Sequence, residues 1–211
     1  MTLFRAVAGD PGPVLPGARI LLRPPTMADF PAWAELREES RRFLAPWEPT
    51  WPADDLTRTA FKRRIKRYHR EIRDEAGLPL FLIRRADDRL LGGLTLSNIR
   101  RGVTQSCSLG YWMGERFAGQ GYMGEAVALV IPHVFTAMRL HRIEAASMPT
   151  NARSIRLLEK AGFAREGFAR QYLLIDGRWQ DHVLFGLVAD EAAGRGPAGA
   201  GAAGERPLGI L

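Results

Sequence analysis

Three glycines, Gly119, Gly121 and Gly124, stand just behind Arg116 and just ahead of a long apolar-periodic run. A β-like run from Cys107 to Met113 leads into them. A strand, a glycine turn and a helix start in that order form an anion site. The first helical N–H groups have no partner inside the helix, and the helix dipole adds about half a positive charge there. Glycine lets the backbone curl and lets a phosphate approach without meeting a Cβ. The segment Arg116, Phe117, Ala118, Gly119, Gln120, Gly121, Tyr122, Met123, Gly124 is therefore expected to hold a phosphate-bearing ligand.

Two familiar phosphate motifs can be tested against it. Gly119-x-Gly121-x-x-Gly124 spells the dinucleotide fingerprint, and Glu144 follows where a ribose-binding acid would stand. That fingerprint normally opens its fold at the first strand, whereas here three antiparallel strands precede it and too little chain follows. A Walker A loop needs Gly-Lys-Ser/Thr, and Gly124-Glu125-Ala126 does not supply it. A second chemistry-bearing stretch is Pro46-Trp47-Glu48-Pro49 with Trp51, a proline-broken loop from Ser40 to Asp54. Its two tryptophans and its carboxylate fit either packing onto the core or a substrate-facing lid.

The elements that must position these residues follow from pattern. Ala18–Arg23 reads as a strand stopped by Pro24-Pro25. Thr26 and Asp29 read as a capping box opening a helix to about Glu39. Asp55–Arg73 reads as a helix with an apolar stripe at Phe61, Ile65, Tyr68 and Ile72. Its other side is crowded by Lys62, Arg63, Arg64, Lys66, Arg67 and Arg70, a solvated face or a docking surface for RNA or an acidic partner. Leu80–Arg85 and Arg89–Ser97 form a hairpin, and Ser106–Met113 is the next strand. After the glycines, Met123–Met138 reads as a helix, His141–Ala146 as a strand, and Asn151–Ala161 as a helix ended by Gly162. Gln171–Ile175 and Trp179–Val188 flank Asp176-Gly177, a strong hairpin signal. The order β-α-α-β-β-β-α-β-α-β-β predicts an α/β fold with an antiparallel front half. Residues 1–16 are expected to be a flexible arm, 17–188 the domain, and 189–211 a Gly- and Ala-rich disordered tail.

Composition narrows the function. The 211 residues suffice for one domain with a substantial core. A single cysteine, Cys107, excludes an internal disulfide and a cysteine-based metal site, and the four histidines show no ligand spacing, so no metal is expected. No apolar run reaches the roughly 18–20 residues of a membrane span. The first residues lack an export pattern, so a cytoplasmic protein is expected. The net charge of +7, nearly all from arginine, favours anionic partners such as a nucleotide or RNA.

Arg116-x-x-Gly119-x-Gly121, then Asn151-Ala-Arg-Ser154, then Glu159-Lys-Ala-Gly-Phe163 resembles the GNAT superfamily of acyl-CoA-dependent N-acetyltransferases. Within it, Pro46–Pro49, Leu109-Gly110-Tyr111 and Tyr172–His182 are similar to the ribosomal-protein-alanine N-acetyltransferases. The likeness covers about residues 15–188. It implies a GNAT-like acyl-CoA N-acyltransferase fold, a mixed and mostly antiparallel sheet of about seven strands with flanking helices. It implies acetyl-CoA as co-substrate, held at Tyr111, Trp112, Met113, residues 116–124 and Asn151. Backbone N–H groups along the slot beside Met113 would stabilise the oxyanion formed when an amine attacks the thioester. Many relatives carry a tyrosine acid where this chain has Leu158, and the resemblance to the ribosomal-protein branch implies Ser154 in that role. An α-amine near pKa 8 needs only a modest base, for which Glu48 is the candidate and Glu115 the second. Trp47, Glu115, Tyr172, Trp179 and His182 would face the acceptor. The expected acceptor is the N-terminal alanine of a ribosomal protein. The alternatives are a small-molecule amine, or a factor that attaches to ribosomes through its basic helix. A monomer and a homodimer are equally compatible with the sequence.

Overall fold

A computed structural model describes residues 12–193. One sheet of eight strands carries the fold, in the order β1-β2-β3-β4-β5-β6-β8-β7. The strands are β1 (Leu15–Pro16), β2 (Ile20–Arg23), β3 (Leu78–Arg84), β4 (Leu90–Arg100), β5 (Ser106–Met113), β6 (Arg142–Ser147), β7 (Ala164–Ile175) and β8 (Arg178–Val188). Every neighbouring pair is antiparallel except β5 with β6. The sheet is mixed and mostly antiparallel, as expected, with one strand more than the expected seven. The extra strand is β1, inside the stretch expected to be a free arm. It pairs with Leu21 and Leu22, while residues 1–11 lie outside the described residues.

Six successive residues of β3, Leu78 to Ile83, are buried. A strand with no polar side is one covered on both faces. Helix α1 (Phe30–Glu39) packs on β4 and α3 (Arg58–Arg73) on β3; α4 (Tyr122–Pro132) packs on β2 and α5 (Ala152–Lys160) on β6. Trp33, Leu36 and Phe61 from the first two of these helices are buried in the core, and Trp33 and Phe61 stack with centroids 4.7 Å apart. On α3 the predicted stripe holds: Phe61 and Ile65 are buried, and Tyr68 and Ile72 pack against the core edge. That helix begins at Arg58 rather than Asp55 because Thr57 Oγ1 accepts the Ala60 N–H and caps it there.

Other boundaries also depart from expectation. The loop from Ser40 to Asp54 contains a short helix, α2 (Arg41–Leu44), and a 3₁₀ turn over Ala45–Trp47, where Pro46 sits in the first turn and needs no N–H partner. The helix expected over 123–138 is α-helical only to Pro132, and His133–Ala137 continues as a π-turn. Proline removes one N–H from the ladder, and the widened turn absorbs that loss. Strand β7 starts at Ala164, seven residues before the expected Gln171. The expected disordered tail begins with a short helix, α6 (Ala189–Ala193), and residues 194–211 lie outside the described residues. No helix among the described residues is long and apolar enough to cross a membrane.

The N-terminal strands are tied to α4 by one carboxylate. Glu125 Oε1 accepts the N–H groups of Arg19 (2.8 Å) and Ile20 (3.4 Å), and Oε2 accepts Arg19 Nε (2.9 Å). Burial pushes this carboxyl up, but the three N–H donors and the guanidinium charge outweigh it and hold it below the ordinary 4.5. A depressed folded-state pKa stabilises the fold above the ordinary value, and that stability is lost as pH falls through the lower folded value. Glu125→Ala is expected to lower stability by about 1–3 kcal/mol at neutral pH. Urea melts should show this deficit shrinking below pH 4.5.

Candidate active site

The parallel pair is where the sheet comes apart. β5 and β6 share only three rungs, Ser106–Arg142, Cys107–Ile143 and Ser108–Glu144. Beyond them β5 stays paired with β4 as far as Met113, and β6 stays paired with β8 as far as Ser147. A V-shaped slot opens between the two strands. Along it the edge of β5 from Leu109 to Met113 has no strand partner on the β6 side. A cavity of about 1820 Å³ occupies the slot and its approaches.

One end of the cavity is the glycine turn. Gly119 and Gly121 have φ of +78° and +82°, the left-handed region that a Cβ disfavours. Gly121 precedes α4, whose first internal bond runs from the Glu125 N–H to Gly121 O (3.1 Å). The N–H groups of Tyr122, Met123 and Gly124 therefore lack helical partners, and all three residues line the cavity. A Cβ added at Gly119 or Gly124 would meet nothing within 4 Å, so this wall is open space. Arg42, Arg153, Arg156 and Lys160 also line the cavity, and none of them is in an ion pair with a carboxylate among the described residues. N–H donors and unpaired cations around open space fit a polyphosphate.

The floor is the end of β5. Trp112 lies over Gly93 of β4, where any Cβ would collide with the indole. Tyr111 is half-buried, and its hydroxyl lies 2.8 Å from Ser154 Oγ in the first turn of α5. Asn151 caps that turn, its Oδ1 accepting the Ser154 N–H (3.1 Å). Burial pushes the Tyr111 phenol up to about 12, and the bond to Ser154 offsets part of the rise. Cys107, at the second rung, is 1% exposed. Burial, with the Glu144 charge adding, pushes its thiol up to about 12.

The opposite end is the tryptophan loop. Trp47 and Glu48 line the cavity. The Glu48 carboxylate is gripped by Arg37 of α1 through two bonds (2.7 and 2.6 Å) and accepts Trp51 Nε1 (2.7 Å). The Arg37 guanidinium lies 3.9 Å from the Trp51 ring and 5.0 Å from that of Trp112. The Glu48 carbonyl accepts the Asp176 N–H (2.9 Å), which brings the β7–β8 turn onto the loop.

Most of the residues expected from sequence converge on this cavity: Trp47, Glu48, Tyr111, Trp112, Met113 and Glu115, then Phe117 to Gly124 apart from Gln120, with Asn151 and Ser154. Five do not line it. The Arg116 side chain turns away to Glu39 (3.2 Å), and Gln120 closes the turn by donating to Arg116 O (2.8 Å). Tyr172 and His182 stack edge-on at 5.7 Å on the β7–β8 hairpin, and His182 Nδ1 lies 3.0 Å from Gln180 O. Trp179, 61% exposed, borders a separate hollow of about 320 Å³ beside Gln171 and Asp181. The alternation of a hairpin placed these three correctly on their strands but not on the side of the slot. Sequence reasoning passed over Arg153, Arg156 and Lys160, although their spacing of three and four places them on one face of α5. It also passed over Arg37, which carries no motif. No group of three or more His, Cys, Asp or Glu among the described residues could hold a metal ion.

A family model described as an acetyltransferase (GNAT) domain matches residues 19–164. The chain belongs to the GNAT acetyltransferase family. It is 35% identical over 175 residues to a probable N-acetyltransferase of Bacillus subtilis, YjcK, covering 83% of this chain and 97% of the relative. It is 35% identical over 165 residues to the ribosomal protein uS5-alanine N-acetyltransferase of Escherichia coli, covering 77% and 85%. Among solved structures it resembles Mycobacterium smegmatis RimJ in complex with CoA-disulfide (TM-score 0.78, 34% identity, 87% and 94% of the two chains). A ribosomal-protein-S5-alanine acetyltransferase from Vibrio fischeri gives a TM-score of 0.80 at 29% identity over 85% and 98%. The protein is an acetyl-CoA-dependent N-acetyltransferase of this family.

Two substitutions test the two ends of the cavity. Gly121→Ala forces a Cβ into the left-handed region, 3.3 Å from Arg19 Nη2. Calorimetry with CoA should show affinity reduced about tenfold, from a strain of about 1–2 kcal/mol. Arg37→Leu strands the Glu48 carboxylate and should lower stability by about 3 kcal/mol in urea melts. Adding Glu48→Gln should restore part of that loss.

Proposed function

We propose that this protein transfers the acetyl group of acetyl-CoA to the α-amine of an N-terminal alanine on a ribosomal protein, by direct attack of the amine. The observation that carries this reading is the kind of base the cavity offers. Among the described residues that line it there is no histidine, and the acidic ones are Glu48 and Glu115. Glu48 is engaged by Arg37 and Trp51, which argues against its expected role as the base and for a role in holding the loop. Glu115 is an exposed carboxylate, a weak base that can act through water. Such a wall suits an amine that is already partly neutral. An α-amine near pKa 8 requires less than about 1 kcal/mol to deprotonate at pH 7.5, whereas a lysine near 10.4 requires about 4 kcal/mol. The two relatives and neighbours named for ribosomal-protein alanine support the same acceptor.

Acetyl-CoA supplies a thioester whose carbonyl carbon the amine attacks and whose thiolate leaves. The chain's residues do the rest. The first-turn N–H groups of α4 and the cations of α5 hold phosphate. The unpaired edge of β5 offers donors to the slot. Ser154, at the start of α5 and facing the cavity, donates its hydroxyl proton to the departing sulfur. The tryptophan loop walls the acceptor side. On α3 the outward Lys62, Arg63, Lys66, Arg67 and Arg70 are exposed, a surface suited to a ribosomal acceptor bound to RNA in the cytoplasm.

The test is an acceptor panel with acetyl-CoA, read by mass spectrometry: peptides beginning with Ala, the same peptides with blocked N-termini and an internal lysine, and small amines. Acetylation confined to free N-terminal alanine is the expected result. Turnover of small amines with no peptide modified would overturn the acceptor assignment.

A further inference from the structure

We infer that Tyr111 is a positioning residue that fixes the direction of the Ser154 proton, an inference that rests on Ser154 acting as the acid. Two hydroxyls face each other across 2.8 Å, and each carries one hydrogen. Only one of the two can donate into this contact. Among the described residues, Ser154 Oγ is the single hydrogen-bond contact of the Tyr111 hydroxyl. A buried phenol O–H almost always finds an acceptor, and a phenol is a stronger donor than an aliphatic hydroxyl. Tyr111 therefore donates and Ser154 accepts. The serine proton is left free to point into the cavity that both residues line.

The placement supports this direction. Tyr111 is held on β5 by its pairing with Leu94 of β4. Ser154 is held on α5 by the Asn151 cap. The contact crosses from one wall of the slot to the other at a level where the β5–β6 ladder has already ended. The serine is thus oriented twice, its backbone by Asn151 and its hydroxyl by Tyr111. As the Ser154 O–H bond gives its proton to the leaving thiolate, negative charge gathers on Oγ, and the phenol hydrogen bond strengthens to meet it. The proton balance is closed: the nitrogen releases two protons to solvent, one from the ammonium before attack and one from the adduct after it, the sulfur gains the serine proton, and serine is reprotonated from solvent, for a net release of one. Tyr111 keeps its own hydrogen throughout.

Tyr111→Phe removes one oxygen and leaves the ring. With an amine acceptor that turns over, kcat should fall about tenfold to a hundredfold. The KM for acetyl-CoA should stay within about threefold, and CoA binding by calorimetry should be retained, which also reports that the chain is folded. Ser154→Ala should fall at least as far, and the double variant no further than Ser154→Ala alone. Ser154→Thr, which keeps a hydroxyl, should recover most of kcat and should again lose it when Tyr111→Phe is added. An unchanged kcat in Tyr111→Phe, or a loss that persists in full on the Ser154→Ala background, overturns the inference. An unchanged kcat in Ser154→Ala instead removes the acid assignment on which it rests.

Discussion

One buried ion pair holds four separate segments in register. Arg37 is 7% exposed, with both terminal nitrogens on the Glu48 carboxylate and its planar face between Trp51 and Trp112. Its Nε alone finds no partner among the described residues. Burying a guanidinium is expensive unless its geometry is near ideal. Here a bidentate carboxylate and two indole faces provide that geometry. The pair joins α1 to the tryptophan loop and presses both on the end of β5. Because the Glu48 carbonyl also takes the Asp176 N–H, the β7–β8 turn is held by the same residue. This wall of the cavity is thus built from pieces far apart in sequence, and one charge pair sets their spacing.

The β5 wall is organised by the opposite device, an interaction that stops. The parallel pair ends after three rungs, while β5 continues along β4 and β6 continues along β8. The slot is therefore a property of the sheet rather than of any loop. Its two walls touch across the gap through the Tyr111–Ser154 hydroxyl pair. The glycine turn needs no side chains for its task, only left-handed φ values and an uncapped helix start.

Features set by local chemistry were legible in the sequence. Asp176 and Gly177 both take positive φ, as a two-residue hairpin turn requires, and the pair marks that turn in the sequence. Gly162, at φ +97°, ends α5 where its type says it should. The glycine turn ahead of α4 needed only the order strand, glycines, helix. Features set by tertiary context were not legible. The first half of β7, Ala164 to Arg170, is almost wholly exposed at the sheet edge and has one large apolar side chain, Phe168, so no apolar alternation marks it. The grip of Arg37 on Glu48 depends on a fold that brings α1 beside the loop. Arg116 has the right type at the right spacing, yet Glu39 claims its side chain, and only its main chain belongs to the turn.

The burial of Cys107 has a kinetic meaning. A thiol beside a thioester is the natural place for an acyl group to pause, as a protein-bound thioester formed by exchange. The chain's single cysteine lies on the last strand rungs before the slot, yet it is 1% exposed and its thiol is pushed up to about 12. Desolvated and protonated, it is no nucleophile. A route through acylation of this cysteine is closed by packing.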